Sequence, residues 1–301
     1  MLTDSLTAWV RAVRLQYYPT TFLTLLVGLS VAHYSGIENT ELIIWMVAGN
    51  VLLHCASSLI NEYRDFITGA DLVDYPETTW RATGGSRVLV DQLIAPKNIL
   101  YSSLFLFFVS CAIWGFMGFQ AGSGLGVGLL CSLGVTYVYS AAVSVRGFYY
   151  VREVLMTFGA VPVFVVSVVK ILSGYYSGTA FIAGILVGMQ MMNYLLYHGL
   201  IDMKADFESG KLRLTRFLGE KNTLRASEIL ITGTFVIIGV TVYSNVLPPG
   251  CALTGIIVPL AGKIVHDEVK RINLVKNYSK VVLLFLGTGF LLSAGFWLHS
   301  L

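Results

Sequence analysis

The segment ELIIWMVAGNVLLHCASSLINEYRDFITGAD, residues 41 to 71, joins an apolar run to a group of acidic residues. Its first twenty residues, 41 to 60, carry a single charge, at Glu41. About 20 apolar residues in a helix are enough to cross the hydrocarbon core of a bilayer. Asn61, Asp65 and Asp71 follow directly after this run. The segment therefore predicts a membrane helix that presents carboxylates where it leaves the lipid.

The composition of the whole chain supports a membrane protein. Of the 301 residues, 55% are hydrophobic and only 12% are charged, whereas a soluble domain carries about 25% charged residues. The mean hydropathy of +0.73 agrees. The net charge of +3 is small and dispersed, which does not indicate nucleic-acid binding. We predict one integral membrane domain that comprises residues 1–301.

Apolar runs of suitable length recur along the chain, and they predict an all-α, polytopic fold with nine membrane-spanning helices. The predicted spans are 18–34, 41–60, 99–119, 122–142, 153–172, 178–200, 226–246, 248–263 and 280–299.

The distribution of basic residues predicts the orientation of these helices. Nineteen of the 20 Lys and Arg lie at the N-terminus or between spans 2–3, 4–5, 6–7 and 8–9, and only Lys170 lies on the other side. Because cytoplasmic loops collect Lys and Arg, we expect a cytoplasmic N-terminus and an external C-terminus. We expect the protein in the cell inner membrane, surrounded by lipid.

A second acidic segment, GLIDMKADFESGK (199–211), follows span 6 on the same predicted side. Residues four apart share one face of a helix, so Asn61 should face the same way as Asp65, and Asp202 the same way as Asp206. Gly69 is expected to end the first helix, so that Asp71 turns back toward it. Facing carboxylates repel each other unless a cation lies between them. The Lys and Arg of these loops could take this position, but Mg²⁺ suits it better, because it typically takes one or two carboxylates together with substrate phosphates.

Basic residues next to the acids predict a phosphate-binding site. They occur in RATGGSRVL (81–89) and in the segment that ends GKLRLTR (210–216), and Arg grips phosphate with two parallel hydrogen bonds. A diphosphate held between Mg²⁺ and basic side chains, beside an apolar pocket, points to an isoprenoid diphosphate. The candidate contacts to this diphosphate are Arg81, Lys204, Lys211 and Arg213.

These motifs resemble those of the UbiA superfamily of intramembrane prenyltransferases over essentially the whole chain. NEYRDFITGAD is similar to the first Asp-rich motif of the family, and DMKADFESGKLRLTRFLG is similar to the second. The six-residue step from Asp65 to Asp71 resembles the branch that prenylates 1,4-dihydroxy-2-naphthoate, a quinone precursor of menaquinone biosynthesis. The chain departs from the family at His198, where Asn is frequent.

The resemblance implies a helical bundle around a central cavity that is capped by the two cytoplasmic loops. It also implies Mg²⁺ as cofactor, a prenyl diphosphate as donor and a small aromatic acceptor. The implied metal ligands are Asn61, Asp65, Asp71, Asp202 and Asp206.

Further roles are expected near these ligands. Through the metal, Asp65 and Asp202 would serve catalysis, and Glu153 is a candidate for acceptor binding or proton removal. Aromatic rings can shield an allylic cation. The candidates for contact with the cation or the acceptor are Tyr139, Tyr149, Phe158 and His198.

Two other functions fit the same residues. A UbiA-like terpene cyclase would use the same Asp motifs without an acceptor. A transporter would also place acids in membrane helices, but here the acids lie at helix ends and no inverted repeat with broken helices is visible.

Overall fold

The computed structural model describes residues 2–37, 39–72, 85–141, 150–208, 210, 212–269 and 274–298. This part of the chain is helical and contains no strand, which confirms the predicted fold class. Short 3₁₀ segments occur at Leu15–Tyr17, Ala70–Leu72 and Pro249–Ile257. The helices are α1 (Leu2–Ala12), α2 (Tyr18–Tyr34), α3 (Thr40–Thr68), α4 (Pro96–Ala121), α5 (Ser123–Ser140), α6 (Val151–Ser173), α7 (Gly178–Ile201), α8 (Met203–Glu208), α9 (Leu214–Tyr243), α10 (Val258–Val269) and α11 (Leu274–Leu298).

The long helices follow the predicted spans closely. Among the described residues, eight segments are long and apolar enough to cross a membrane, and each coincides with a predicted span. The remaining predicted span, 18–34, is α2, a helix of 17 residues that begins with Pro at its first turn. The count of nine is therefore approximately right, with α2 as the shortest member.

Helix α3 carries the first acidic segment on its own last turns. Its N-terminus is capped by the Asn39 side chain, which accepts a hydrogen bond from the Leu42 amide at 3.1 Å. The helix continues past the apolar run and ends at Gly69, whose φ of 76° is the left-handed conformation that glycine adopts most readily. Asp71 lies in the 3₁₀ turn that follows. The predicted helix end at Gly69 is thus confirmed.

Helix α6 contains an irregular first half. Residues Val151–Val154 are α-helical, Leu155–Ala160 form a π-helix, and Val161–Ser173 return to α-helix. π-Helical turns are rare and occur frequently at functional sites. Arg152 and Glu153 lie directly before this turn and are both buried.

One large cluster of the buried core lies between helices α2, α6, α7 and α11. It is built from apolar side chains that these helices contribute together, including Leu23, Val165, Leu186 and Phe285. Helix α7 approaches the π-helical turn of α6 so closely that Gly188 has no room for a side chain. A Cβ atom at Gly188 would lie 2.1 Å from the carbonyl oxygen of Thr157.

We expect Gly188→Ala to destabilise the protein, because the Thr157 backbone cannot move away as a flexible side chain would. Overpacking of this kind costs about 1–3 kcal/mol. A lower midpoint of thermal unfolding in detergent would show it. The matched control is Gly239→Ala in α9, since a Cβ there meets no atom of the described residues within 4 Å. Equal midpoints for the two variants would contradict the close approach of α6 and α7.

Candidate active site

One cavity of about 270 Å³ lies among the helices, and both acidic segments line it. α3 and the turn after it contribute Asn61, Asp65 and Asp71, and the end of α7 with α8 contributes Asp202 and Asp206. The two segments are far apart in the sequence, and the fold brings them to the same cavity.

The first half of this site combines carboxylates with a buried arginine. The Asn61 side-chain amide donates a hydrogen bond to Asp65 at 2.9 Å, so the two residues share a helix face as predicted. Glu62 is fully buried and forms an ion pair with Arg14 at 2.5 Å. Burial alone would lower the pKa of the Arg14 guanidinium, but the charges of Glu62, Asp65 and Asp71 outweigh it and raise this pKa. Arg14 therefore keeps its positive charge beside the acids.

The second half is organised by Arg213, which precedes α9. Its Nη2 lies 3.2 Å from Asp202 Oδ2 and its Nε lies 2.7 Å from Asp206 Oδ2. Burial would lower the pKa of Arg213, but the charges of Asp206 and Asp202 raise it above its ordinary value. Sequence analysis predicted a contact between Arg213 and phosphate. The structure places the guanidinium between two carboxylates at the edge of the cavity, and the contact with phosphate stays a prediction.

His198 connects the second acidic segment to aromatic residues deeper in the protein. Its Nε2 lies 3.2 Å from Asp202 Oδ2, one helical turn away. Its Nδ1 lies 3.1 Å from the hydroxyl of Tyr278, which in turn lies 3.4 Å from the hydroxyl of Tyr194. His198 lines the cavity and contacts Asp202. Its predicted contact with the acceptor or the cation stays a prediction.

The donor atoms of this cavity fit Mg²⁺ together with a phosphate ligand. Within the part of the chain that the structure describes, no three His, Cys, Asp or Glu side chains converge closely enough to hold a metal ion by themselves. Asp202 Oδ1 is buried and accepts no hydrogen bond from any described residue. Mg²⁺ is usually bound by one or two carboxylates plus substrate phosphates. The cavity thus suits a metal ion that is bound partly by protein carboxylates and partly by the phosphate of a substrate.

Arg152 is a basic side chain in the cavity that the motif analysis did not single out. It is 7% exposed and lines the cavity. Its Nη2 donates to the Leu212 carbonyl at 3.0 Å and lies 3.5 Å from Glu153 Oε1. Its Nε and Nη1 are buried and donate to no described residue. Buried polar groups are normally hydrogen-bonded, so these two donors point to an anionic ligand.

Only some of the other residues with a predicted role line the cavity. Tyr139 lines it, and the Arg152 guanidinium lies 5.4 Å from the centre of its ring. Among the described residues that line the cavity, Lys204, Glu153 and Phe158 do not appear. Lys204 is exposed and pairs with Glu208 at 3.9 Å, because α8 turns it toward solvent. Arg81, Lys211 and Tyr149 lie outside the described residues.

Apolar side chains of α6, α7 and α11 also line the cavity. A hydrocarbon chain can pack against such a surface without leaving polar groups unpaired. Its apolar lining residues are Met156, Val161, Phe164, Met191, Leu195 and Phe285.

Comparison with known proteins identifies the family. A profile described as the UbiA prenyltransferase family matches residues 21–296. The chain belongs to the UbiA prenyltransferase family. The family profile thus covers nearly all of the membrane-spanning helices.

Its relatives among characterised proteins are distant. It is 22% identical over 241 residues to the UbiA prenyltransferase domain-containing protein 1 of Xenopus tropicalis, a match that spans 77% of this chain and 66% of the relative. It is 26% identical over 246 residues to the 1,4-dihydroxy-2-naphthoate octaprenyltransferase of Escherichia coli (strain K12), spanning 76% of this chain and 74% of that protein.

Solved structures of UbiA homologues share the fold. The apo homologue from Aeropyrum pernix K1 matches 96% of this chain and 99% of its own with a TM-score of 0.69 at 15% identity. A homologue from Archaeoglobus fulgidus, solved with GPP and Mg²⁺, matches 95% of this chain and 99% of its own with a TM-score of 0.59 at 15% identity.

We expect Asp65→Asn to lower the rate of prenyl transfer by about 10²–10³, similar to the loss of one preorganised electrostatic contact to a transition state. Asp202→Asn should have an effect at least as large, because Asp202 also pairs with Arg213. Initial rates at saturating Mg²⁺ would measure both effects.

The control for these variants is Glu208→Gln. Glu208 lies two residues beyond Asp206, and its side chain is 45% exposed beside Lys204. It should keep a rate close to that of the parent. Near-parent turnover in either Asp→Asn variant would exclude that carboxylate from the reaction centre.

Proposed function

We propose that this UbiA prenyltransferase transfers a prenyl group from an isoprenoid diphosphate to a hydroxylated aromatic acceptor within the membrane, with Mg²⁺ as cofactor. The observation that carries the proposal is Arg152, a buried cation with two unused donors among the described residues, facing the same cavity as both acidic segments. Positive charge, carboxylates and an apolar wall in one cavity match the two ends of a prenyl diphosphate.

Different residues of the cavity would bind different parts of the substrate. Asn61, Asp65, Asp71, Asp202 and Asp206 would hold the metal ion, which supplies a Lewis acid for the charge on the diphosphate. Arg152 would donate hydrogen bonds to the diphosphate oxygens, and Glu153 would position Arg152 through their ion pair. Tyr139 and Tyr194 line the cavity and would face the allylic group.

The reaction then needs one bond to break and one to form. The C–O bond of the prenyl diphosphate breaks, and its electron pair leaves with the diphosphate oxygen, whose charge Arg152 stabilises. The allylic carbon is attacked by an electron-rich ring carbon of the acceptor. The released diphosphate, which is a base, takes up the ring proton, and the ring becomes aromatic again. The acceptor we favour is 1,4-dihydroxy-2-naphthoate, followed by a hydroxybenzoate or homogentisate.

The similarity to the octaprenyltransferase named for 1,4-dihydroxy-2-naphthoate supports this order of acceptors. The homologue solved with GPP and Mg²⁺ supports the donor and the cofactor. Membership of a prenyltransferase family removes the reason to consider a transporter.

The direct test is product analysis. The purified protein is incubated with Mg²⁺, geranyl diphosphate and each acceptor, and products are identified by mass. We expect a prenylated aromatic, no turnover after chelation, and recovery on adding Mg²⁺. Diphosphate release at full rate without an aromatic, with a cyclic hydrocarbon as product, would show a terpene cyclase instead.

Arg152→Gln should raise the KM for the prenyl diphosphate or lower kcat by about ten- to a hundredfold, because a hydrogen bond to a charged group is worth about 1.5–3 kcal/mol. Since this change also leaves Glu153 without its cation, the double variant Arg152→Gln/Glu153→Gln separates the loss of a phosphate contact from the loss of the ion pair. Arg225→Gln, at an exposed position of α9, is the matched control. Parent-like kinetics in the double variant would exclude Arg152 from diphosphate binding.

The proposed orientation places both acidic segments in the cytoplasm. In a background without the four native cysteines, Thr68→Cys should resist an impermeant thiol reagent added to intact cells. Tyr175→Cys should react, because it lies on the opposite side and 47% of the Tyr175 residue is exposed. Labelling of Thr68→Cys from outside would reverse the orientation.

A further inference from the structure

A polar cluster outside the cavity lies where α7, α9 and α10 meet. It consists of Asn193 and Tyr197 on α7, Ser227 on α9 and Glu268 at the end of α10. Glu268 is 3% exposed, the other three side chains are fully buried, and none of the four is among the described residues that line the cavity. Tyr197 also belongs to an apolar cluster of the core that α7, α9, α10 and α11 form together. The polar cluster therefore borders hydrocarbon rather than water.

The carboxylate of Glu268 has no basic partner within the part of the chain that the structure describes. Lys263 and Lys280 both pair with the adjacent Asp267, at 2.8 Å and 2.6 Å. An ionised carboxylate that is removed from water without a partner is strongly unfavourable. The charge of Glu268 therefore has to be neutralised by something other than these side chains.

The hydrogen bonds of the cluster also leave an oxygen of Glu268 unused. The Tyr197 hydroxyl donates to Glu268 Oε1. Ser227 Oγ lies 2.8 Å from the same oxygen and 2.6 Å from Asn193 Oδ1. A hydroxyl group has one hydrogen, so Ser227 can donate to only one of these two acceptors. Glu268 Oε2 is buried and accepts no hydrogen bond from any described residue.

The conflict at Ser227 disappears when the Asn193 amide rotates by half a turn. Its nitrogen then donates to Ser227 Oγ, and Ser227 donates to Glu268 Oε1. The other atom of the amide is buried and has no hydrogen-bond partner among the described residues, and after the rotation this atom is the carbonyl oxygen. Asn193 Oδ1 and Glu268 Oε2 are then both acceptors without a donor, and a positively charged ligand satisfies both.

We propose that this cluster binds one monovalent metal cation, Na⁺ or K⁺, through Glu268 Oε2 and Asn193 Oδ1. The single negative charge of Glu268 is matched by a single positive charge. A divalent ion would leave one positive charge uncompensated in a buried position, which is unfavourable. The cation thus supplies the counter-charge that no described side chain gives to Glu268.

Further oxygen ligands are available within one helical turn. Gln190 precedes Asn193 by three residues and so lies on the same face of α7. It is 1% exposed, and neither atom of its amide has a hydrogen-bond partner among the described residues. The hydroxyl oxygens of Tyr197 and Ser227 keep lone pairs when they donate. Neutral oxygens of this kind replace the hydration shell of a monovalent cation.

The bound cation would link α7 to α9 and α10 on the side away from the cavity. Asn193 and Tyr197 are the sequence neighbours of Tyr194 and His198, which line the cavity. A ligand that binds only the folded protein stabilises it. Cation binding is therefore measurable as thermal stability without turnover, and the proposal does not depend on the proposed prenyl transfer.

The first test needs only the parent protein. Its midpoint of thermal unfolding is measured in detergent with the chloride of Na⁺, K⁺ or N-methyl-D-glucamine at equal ionic strength, and with a chelator that removes Mg²⁺. We expect Na⁺ or K⁺ to raise the midpoint by about 2–4 °C once its concentration is about ten times the dissociation constant. Equal midpoints in the three salts would overturn the site.

The second test assigns the effect to Glu268. Glu268→Gln keeps an acceptor for Tyr197 and Ser227 but removes the charge, so its midpoint should be the same in all three salts. The matched control is Glu228→Gln, next to Ser227 on α9 and only partly buried, which should keep the salt dependence of the parent. Asn193→Leu should raise the half-saturating cation concentration by about tenfold or more, the equivalent of one lost polar contact.

Each other outcome would overturn the site. A salt effect of the parent's size in Glu268→Gln would show that the ions act elsewhere. A proton on Glu268 instead of a cation predicts equal midpoints in the three salts. It also predicts a midpoint that falls as the pH rises in the parent but not in Glu268→Gln, because the folded state would bind more protons than the unfolded state. If Glu268→Gln does not fold, Asn193→Leu and the salt comparison of the parent decide the question.

Discussion

Carboxylates are held inside a membrane protein here by arginines that come from other parts of the chain. Arg14 pairs with the fully buried Glu62, and Arg213 pairs with both Asp202 and Asp206. A buried charge is strongly unfavourable unless a partner compensates it. These ion pairs therefore allow two acidic helix ends to face one cavity. They join α3 to the segment before α2, and the end of α7 and α8 to the start of α9.

The same compensation leaves part of the site available for a ligand. Asp202 Oδ1 and two nitrogens of Arg152 make no hydrogen bond to any of the described residues. Asp202 Oδ1 is an acceptor and the two Arg152 nitrogens are donors. A metal ion and an anion can therefore bind in the same cavity without separating the existing ion pairs. A π-helical turn follows Arg152 and Glu153 directly. Its place beside the cavity is consistent with the frequent occurrence of such turns at functional sites.

Sequence patterns predicted much of the fold and the centre of the site, because those features are local. Span positions follow from apolar runs, and the helix ends at Gly69 as its conformational freedom suggests. Asn61 and Asp65 lie on the same helix face because they are four residues apart. Lys204 illustrates the limit. It lies between two metal-ligand candidates in the sequence, yet the short helix α8 directs it to solvent.

The sequence by itself determined that the protein is a helical membrane protein with paired acidic helix ends, since hydropathy and i, i+4 spacing act over a few turns. Only the tertiary structure decided which arginine meets which carboxylate, and that polar residues of α3 line the same cavity as apolar residues of α6, α7 and α11. In a bilayer, a polar group is satisfied by whichever helix packs against it rather than by water. That choice depends on helix–helix packing across the whole chain, which no local pattern encodes.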